Sequence, residues 1–457
     1  MSTKLWLLNA TENHAGLAEV CVQAREAGVG LQVLHRRKDR DAIPAGVAAI
    51  EMADEGFEIP GLVIEDDAEI AFLPCAQRIE WAALRERPLL GQRHCIQPLF
   101  ATPPRFNPNH NMSGPAGWWG WRADGALARR ILREPTAWND NGIDLIEVMV
   151  EWPDPPRWQS APLTLPGAGD YQIASPPVLT MASRVLAVIS HYHCEQWLHE
   201  CLASMTQQTV PLANIVVIDD CSGAPPVSIV EQFPTVTLLS NTRNAGPERM
   251  LNNIIHATDY DGYMVQDADD WSTHDRLEVS LRGAEQSGAD MVGTQEIRID
   301  HSLERIDLGL YPPDVNRCMT QGPMHYNLHG TCLIGRALAM RVGGFDENLN
   351  LVGDSDFTYR AWHAGRIINL PVYTLFHRIR AHSLTSHTAT GYQSKARMLE
   401  EYYIKVRAMK QLRAVMAGGL PEMRVDLRKP LHFEHLLGPA LAMQPDSTAG
   451  VTVTWKR

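Results

Sequence analysis

The chain has 457 residues, 45% of them hydrophobic, and a formal net charge of -12. That length and apolar content can build two or three globular domains and exclude a disordered chain. The acidic balance excludes a basic nucleic-acid footprint, so an anionic ligand has to be held locally, by a metal or by backbone amides.

No run approaches 18 uninterrupted apolar residues, and the start "MSTKLWLLNATENHAG" lacks the apolar length and cleavage pattern of a signal peptide. The expectation is a cytoplasmic protein, free or peripheral to the inner face of the membrane. The eight cysteines are scattered without a CxxC pair, as befits reduced thiols.

Residues 1–152 read as an α/β accessory domain of unassigned role. "GLVIEDDAEIAF" is an apolar run interrupted by Glu65, Asp66 and Asp67, and "AGWWGWRADGALARRIL" is a turn leading into a helix. Trp118, Trp119 and Trp121 could stack on a sugar or peptide acceptor or simply be buried. Residues 153–180 form a linker: the segment 153–177 carries seven prolines, which fix the backbone and restrain their predecessors.

Beyond it, "RVLAVIS" (184–190) and "NIVVIDD" (214–220) are short apolar runs, and the helix between them carries Trp197, Leu198, Cys201, Leu202 and Met205 at helical spacing. This strand, helix, strand unit predicts parallel strands. "TVTLLSN" (235–241), the turn "RNAGPE", the helix "RMLNNIIHA" and "GYMVQ" (262–266) extend it. Ligands of such sheets bind beyond the carboxyl ends of the strands, where this chain carries Ser190 to His193, Asp219 and Asp220, and Asp267 to Asp270. Three carboxylates at one edge suggest a divalent cation, although an Asp-x-Asp triplet also suits a capped turn, and Asp270 is expected to cap the helix of "WSTHDRLEVSLRGA". The set His191, His193, Cys194, His199 and Cys201 invites a zinc reading, but Cys201 falls on the apolar helix face and ordinary roles are preferred. No G-x-S-x-G, G-x-G-x-x-G or phosphate-loop motif occurs. From 391 onward, "YQSKARMLEEYYIKVRAMKQLRAVMAGG" reads as a long amphipathic helix packed on its own domain or on a second copy, as in a homodimer, and "GVTVTWKR" as an edge strand.

Five motifs in order over residues 184 to about 388 resemble a family-2 glycosyltransferase of GT-A fold: "VLAVISHYHCEQWLHECLASMTQQ", "IVVIDDCS", "NTRNAGPERMLNNII", "YMVQDADD" and "GTCLIGRALAMRVGGFDENLNLVGDSDFTYRAWHAGRI". The resemblance implies a mostly parallel α/β sheet flanked by helices over 181–390, with a C-terminal helical extension over 391–457. It also implies an inverting sugar transfer from a nucleotide-sugar donor, a UDP-sugar favoured, dependent on Mn2+ or Mg2+. The acceptor class is open among glycan, lipid, peptide and small molecule.

In that frame Ser190, Tyr192 and Asn244 border the nucleotide, Asp220 accepts from the base edge, Asp267 lies near the ribose and Asp269 binds the cation. Asp354 is the catalytic base, and His329 and Trp271 lie on the acceptor side. "FHRIRAHSLTSH" puts Arg380 where the family has histidine and leaves His377 or His382 as a second metal contact. Gly353-Asp354 stands where Glu-Asp is usual, and Arg249 is displaced from the family's Ala-Arg-Asn. Glu65, Asp66 and Asp67 resemble a segment of a different glycosyltransferase family. The rival readings are a non-catalytic sugar-nucleotide-binding module and a nucleotidyltransferase.

Overall fold

The computed structural model describes residues 4–9, 31–36, 48–52, 69–74, 94–100, 112–115, 119–134, 143–162, 177–300, 302–381, 383–423, 425–444 and 451–454. They fall into two compact units, one of Met1–Phe106, Gly114–Thr164 and Ile299–Leu308, the other of Asn107–Ser113, Leu165–Arg298 and Gly309–Arg457. Among the described residues no helix is long and apolar enough to cross a membrane.

The first unit contains strands β1 (Lys4–Asn9), β2 (Leu31–Arg36), β3 (Ala48–Met52), β4 (Glu69–Pro74), β5 (Cys95–Phe100), β6 (Trp119–Asp124) and β7 (Arg157–Trp158), in the order β3-β2-β1-β4-β6-β5-β7. The first four pair in parallel and β6 runs antiparallel to both β4 and β5. Asp124 caps the following helix α1 (Gly125–Ile131), its carboxylate accepting from the Leu127 N–H. Trp121 is buried and stacked on Phe72 at 5.3 Å, so it is core rather than a sugar platform. Trp118, Glu65, Asp66 and Asp67 lie outside the described residues.

The proline-rich segment departs from the expected linker. The Arg157 N–H donates to His94 O and the Gln159 N–H to Ile96 O, which makes β7 an edge strand of the first unit. Proline is compatible with a sheet edge because only one side of such a strand needs its donors.

The second unit holds β8 (Val185–His191), β9 (Asn214–Asp219), β10 (Val236–Asn241), β11 (Gly262–Asp267), β12 (Trp271–Ser272), β13 (Met291–Asp300), β14 (Leu333–Gly335), β15 (Ile367–Ile379), β16 (His432–Leu437) and β17 (Thr452–Thr454). Their order is β12-β15-β13-β14-β11-β8-β9-β10-β16-β17. The centre, β11-β8-β9-β10, is parallel as expected. Both flanks depart from that pattern: β14 pairs antiparallel with β11 and β13, and β16 antiparallel with β10.

Both faces of this centre are covered, which is why its strands read as unbroken apolar runs. Along β8, Leu186 and Val188 enter one core with Val216, Ile218 and Ile254, while Val185, Ala187 and Ile189 enter the other with Leu198, Val217 and Leu281. The covering helices are α2 (Glu195–Thr206), α3 (Pro247–Ala257), α4 (Arg276–Ser287) and α5 (Gly353–Ala361).

After α6 (Lys395–Met416), β17 falls in the expected edge strand 450–457, while β16, which joins the sheet beside β10, goes beyond the expected helical extension. One face of α6 is anchored: Arg397 donates to Leu351 O at 2.7 Å, Glu400 accepts from the Leu351 N–H at 2.9 Å, and Arg407 pairs with Asp346 and Asp356. These bonds hold the segment leading into α5.

Candidate active site

The parallel registers decide which polar groups meet. Ser190 lies opposite Asp267 and His191 opposite Asp219, so β8, β9 and β11 end level with one another. Asp219 is fully buried and accepts from His191 Nδ1 at 3.1 Å and from the Ser222 N–H at 3.3 Å. Burial alone would raise its carboxyl; the bonds from His191 and Ser222 outweigh that and hold it below the usual range.

Asp220 shapes the glycine turn. Its Oδ1 accepts from the Ala245 N–H and its Oδ2 from the Gly246 N–H, both at 2.8 Å, and Asn241 adds a third bond at 3.1 Å. Asn244 closes the same turn by donating to Asp220 O at 3.2 Å. Gly246 has φ 84° and ψ 156°, a backbone region essentially reserved for glycine. Tyr192, in the loop after β8, is 49% exposed, with His193 edge-on at 4.3 Å.

At the end of β11 the three aspartates separate. Asp267 is open to solvent, and no described side chain or amide hydrogen-bonds its carboxylate. The protein mass around it, followed by the charge of Asp269, raises its carboxyl to about 6. Asp269 is paired with Arg380, Nε to Oδ2 at 2.5 Å.

Asp270 is buried and accepts from the Arg378 N–H at 2.8 Å. It ties β11 to β15 and does not cap α4, whose Leu277 N–H instead donates to Gln208 Oε1. Trp271 is also corrected: it is 2% exposed and stacked on Phe376 at 4.7 Å, with Arg378 over its ring, so it presents no face to an acceptor.

Opposite stands Asp354, in the first turn of α5, its Oδ1 accepting from the Ser355 N–H at 2.7 Å. His329 is within its electrostatic reach; burial lowers the imidazole to about 4 against the pull of Asp354, so it is neutral near pH 7. Its Nε2 is buried without a hydrogen-bond partner among the described residues. A Cβ on the next residue, Gly330, would sit 3.0 Å from Asp267 Oδ2, which places this turn beside the donor carboxylate as well.

The glycine pair that leads to α5 is a packing device. Gly344, at φ 78°, would put a Cβ 2.1 Å from Asn252 Oδ1, and that oxygen accepts from the Phe345 N–H at 3.0 Å. Phe345 is then stacked on Phe357 of α5 at 4.4 Å and lies 5.3 Å from the His329 ring. Glu347 accepts from Arg249, Asn252, Asn253 and the Arg428 N–H. Arg249 is therefore a buried tie between α3 and this segment.

Sequence reasoning missed two carboxylates. Glu248, in the first turn of α3, is raised to about 8 by burial and then by Asp354. Its Cγ would lie 3.1 Å from a Cβ on Gly353, so the glycine before Asp354 makes room for it; that glycine was the signal. Glu296 pairs with His377, Oε2 to Nδ1 at 2.6 Å, and takes Tyr311 and Arg298 on Oε1. His377 is held near 10, the charges of Asp270 and Glu296 overcoming burial.

The side chains do not fit a resident metal at Asp269. That carboxylate is satisfied by a guanidinium, and His377 Nδ1 is held by Glu296. Among the described residues no group of three His, Cys, Asp or Glu could hold a metal ion, which also leaves the zinc reading of His191, His193, Cys194, His199 and Cys201 without a site. His382 lies outside the described residues.

The model of the family described as Glycosyl transferase family 2 matches residues 186–343. The succinoglycan biosynthesis protein ExoO of Rhizobium meliloti (strain 1021) is 29% identical over 117 residues, and the match covers 25% of this chain and 34% of that protein's length. Among solved structures, S. aureus TarS 1-349 in complex with UDP-GlcNAc is similar over 54% of this chain and 68% of that one, at 20% identity and a TM-score of 0.41. The same fragment in complex with UDP matches 54% and 67%, at 18% identity and 0.39. The motifs around Asp220, the glycine turn and Asp267 all lie inside the matched segment, so residues 186–343 are the part of this chain that is similar to glycosyl transferase family 2.

Proposed function

We propose that the chain moves a sugar from a nucleoside-diphosphate donor, a uridine diphosphate sugar favoured, to an acceptor nucleophile with inversion at the anomeric carbon. The observation that carries this reading is a two-sided site: Asp267 open at the end of β11, Asp354 at the head of α5, and the His329–Gly330 turn within reach of both. The acceptor oxygen attacks the anomeric carbon while its bond to the diphosphate breaks. Asp354 takes the acceptor's proton, and a single displacement inverts the centre.

On the donor side the exposed ring of Tyr192 offers a stacking face to the base, Ser190 and the Asp220-braced turn with Asn244 border the nucleotide, and Asp267 faces the ribose. His329, neutral near pH 7, lies on the acceptor side. The acceptor itself is a glycan, lipid, peptide or small molecule.

Asp354→Asn tests the assignment. A panel of sugar nucleotides is scored for nucleoside diphosphate release and for thermal stabilisation, which tracks donor affinity. The variant should lose release by roughly 10²- to 10⁴-fold, the usual worth of a positioned base, while a donor still stabilises it. Unchanged release would remove Asp354 from this role. Donor stabilisation of the wild type without any release would mark a binding module, and release of pyrophosphate a nucleotidyltransferase.

A further inference from the structure

The acids at the donor edge are already balanced by protein cations. Arg380 is paired with Asp269 at 2.5 Å, Arg378 donates to Asp269 O and pairs with Glu200 at 2.8 Å, and His377 is bound to Glu296. Arg276, fully buried under β11, lies in electrostatic reach of Asp267 and Asp270. A divalent ion would add charge to a cluster that has its counter-charge.

Arg380 is placed to act and not only to neutralise. Its guanidinium lies over the Trp197 ring at 4.8 Å, and Nη2 donates to Cys194 Sγ at 3.4 Å. Nε is spent on Asp269, while Nη1 has no partner among the described residues. The side chain is 21% exposed. An aromatic face and a carboxylate thus fix a planar donor with N–H groups still to offer, and a guanidinium suits phosphate oxygens in that geometry.

We propose that Arg380 is the resident cation of the donor site, binding the diphosphate and compensating its charge as it leaves, so that donor binding does not require a divalent ion. The inference rests on the transferase reading above. In the step it serves, the acceptor oxygen bonds to the anomeric carbon, and the bond from that carbon to the phosphate oxygen breaks. Its electron pair stays on the diphosphate beside Arg380, and the acceptor proton goes to Asp354. Preorganised positive charge at a leaving group lowers such a barrier without a metal.

The test is binding of UDP, GDP and ADP to the full chain by calorimetry, in EDTA and then with MnCl2, using wild type, Arg380→Ala and Arg380→Lys, with uridine as the phosphate-free control. The wild type should bind a nucleoside diphosphate in EDTA, with less than a threefold gain on adding manganese. Arg380→Ala should weaken that binding at least tenfold while leaving uridine binding nearly unchanged, and Arg380→Lys should recover part of the loss. A wild type that binds only with manganese, or an Arg380→Ala variant that binds as tightly in EDTA, overturns the role of Arg380 and leaves the transferase reading standing. Absence of nucleoside diphosphate binding in both conditions overturns the two together.

Discussion

Gly344→Ala should destabilise the chain well beyond the cost of its backbone. With φ at 78° the residue sits in left-handed space, where an L side chain costs about 1–2 kcal/mol. The added Cβ would also fall 2.1 Å from Asn252 Oδ1. That oxygen must withdraw and strand the buried Phe345 N–H, for a further cost of about 1–3 kcal/mol.

The sum, about 2–5 kcal/mol, contrasts with Gly418→Ala. Gly418 has φ 84° but nothing among the described residues within 4 Å of its Cβ, so only the backbone cost of about 1–2 kcal/mol applies. Urea midpoints at constant slope measure both. Repeating Gly344→Ala in an Asn252→Ala background isolates the oxygen clash, because only the backbone cost and the 3.0 Å approach to His256 Nε2 should remain. Equal losses for Gly344→Ala and Gly418→Ala, or strict additivity in the double variant, would refute the reasoning. Phe345 supports both His329 and α5, so the same variant should also lower transfer.

Two further predictions follow from charge. Folded Glu248 keeps its proton to about 8 against an ordinary 4.5, so the folded state binds the extra proton and loses stability as pH rises between those values. The melting temperature of the wild type should therefore fall relative to Glu248→Gln from pH 4.5 to pH 8.5, and a constant difference would count against a buried carboxyl beside Asp354. Glu296 is lowered to about 2, with His377 outweighing burial, and His377 is raised to about 10. Glu296 then contributes fully above 4.5 and fades as pH falls towards 2, while His377 contributes fully below 6.5 and fades as pH rises towards 10. Glu296→Gln should lower the melting temperature most between pH 4.5 and 6.5; a loss independent of pH would show that the pair is not ionic.

The parallel centre was legible because each strand is covered on both faces. The expected 184–190, 214–220, 235–241 and 262–266 meet observed strands at 185–191, 214–219, 236–241 and 262–267. Burial leaves a local mark in such runs, and the helix between β8 and β9 leaves its own period. The antiparallel additions were not legible, since nothing within His432–Leu437 names β10 as its neighbour.

The site divides in the same way. Asp267, Asp269 and Asp354 could be singled out by the motifs around them, but their partners could not. Arg380 is 111 positions from Asp269, and Arg378 is 108 from Asp270. Asp270 and Trp271 were misassigned for that reason: their roles are set by β15, which a local pattern does not see. Glu248 escaped because its significance lies in a close approach to Gly353, a contact between two helices.

The stitching of residues 428–431, just ahead of β16, to α3 and Glu347 bears on how the chain matures. Arg249 donates to Lys429 O, Asn253 accepts from the Leu431 N–H, and Glu347 from the Arg428 N–H, bonds that close loops of 180, 178 and 81 residues. During synthesis these three bonds cannot close until residues 428–431 leave the ribosome, although Arg249 and Asn253 already have Glu347 as a partner. Contacts so distant in sequence are slow to form because loop closure has to precede them. The matched segment 186–343 should therefore not mature on its own: a ribosome-stalled chain ending near 420 should stay protease-sensitive around α3, and nucleotide binding should appear only once the last sheet strands have been added.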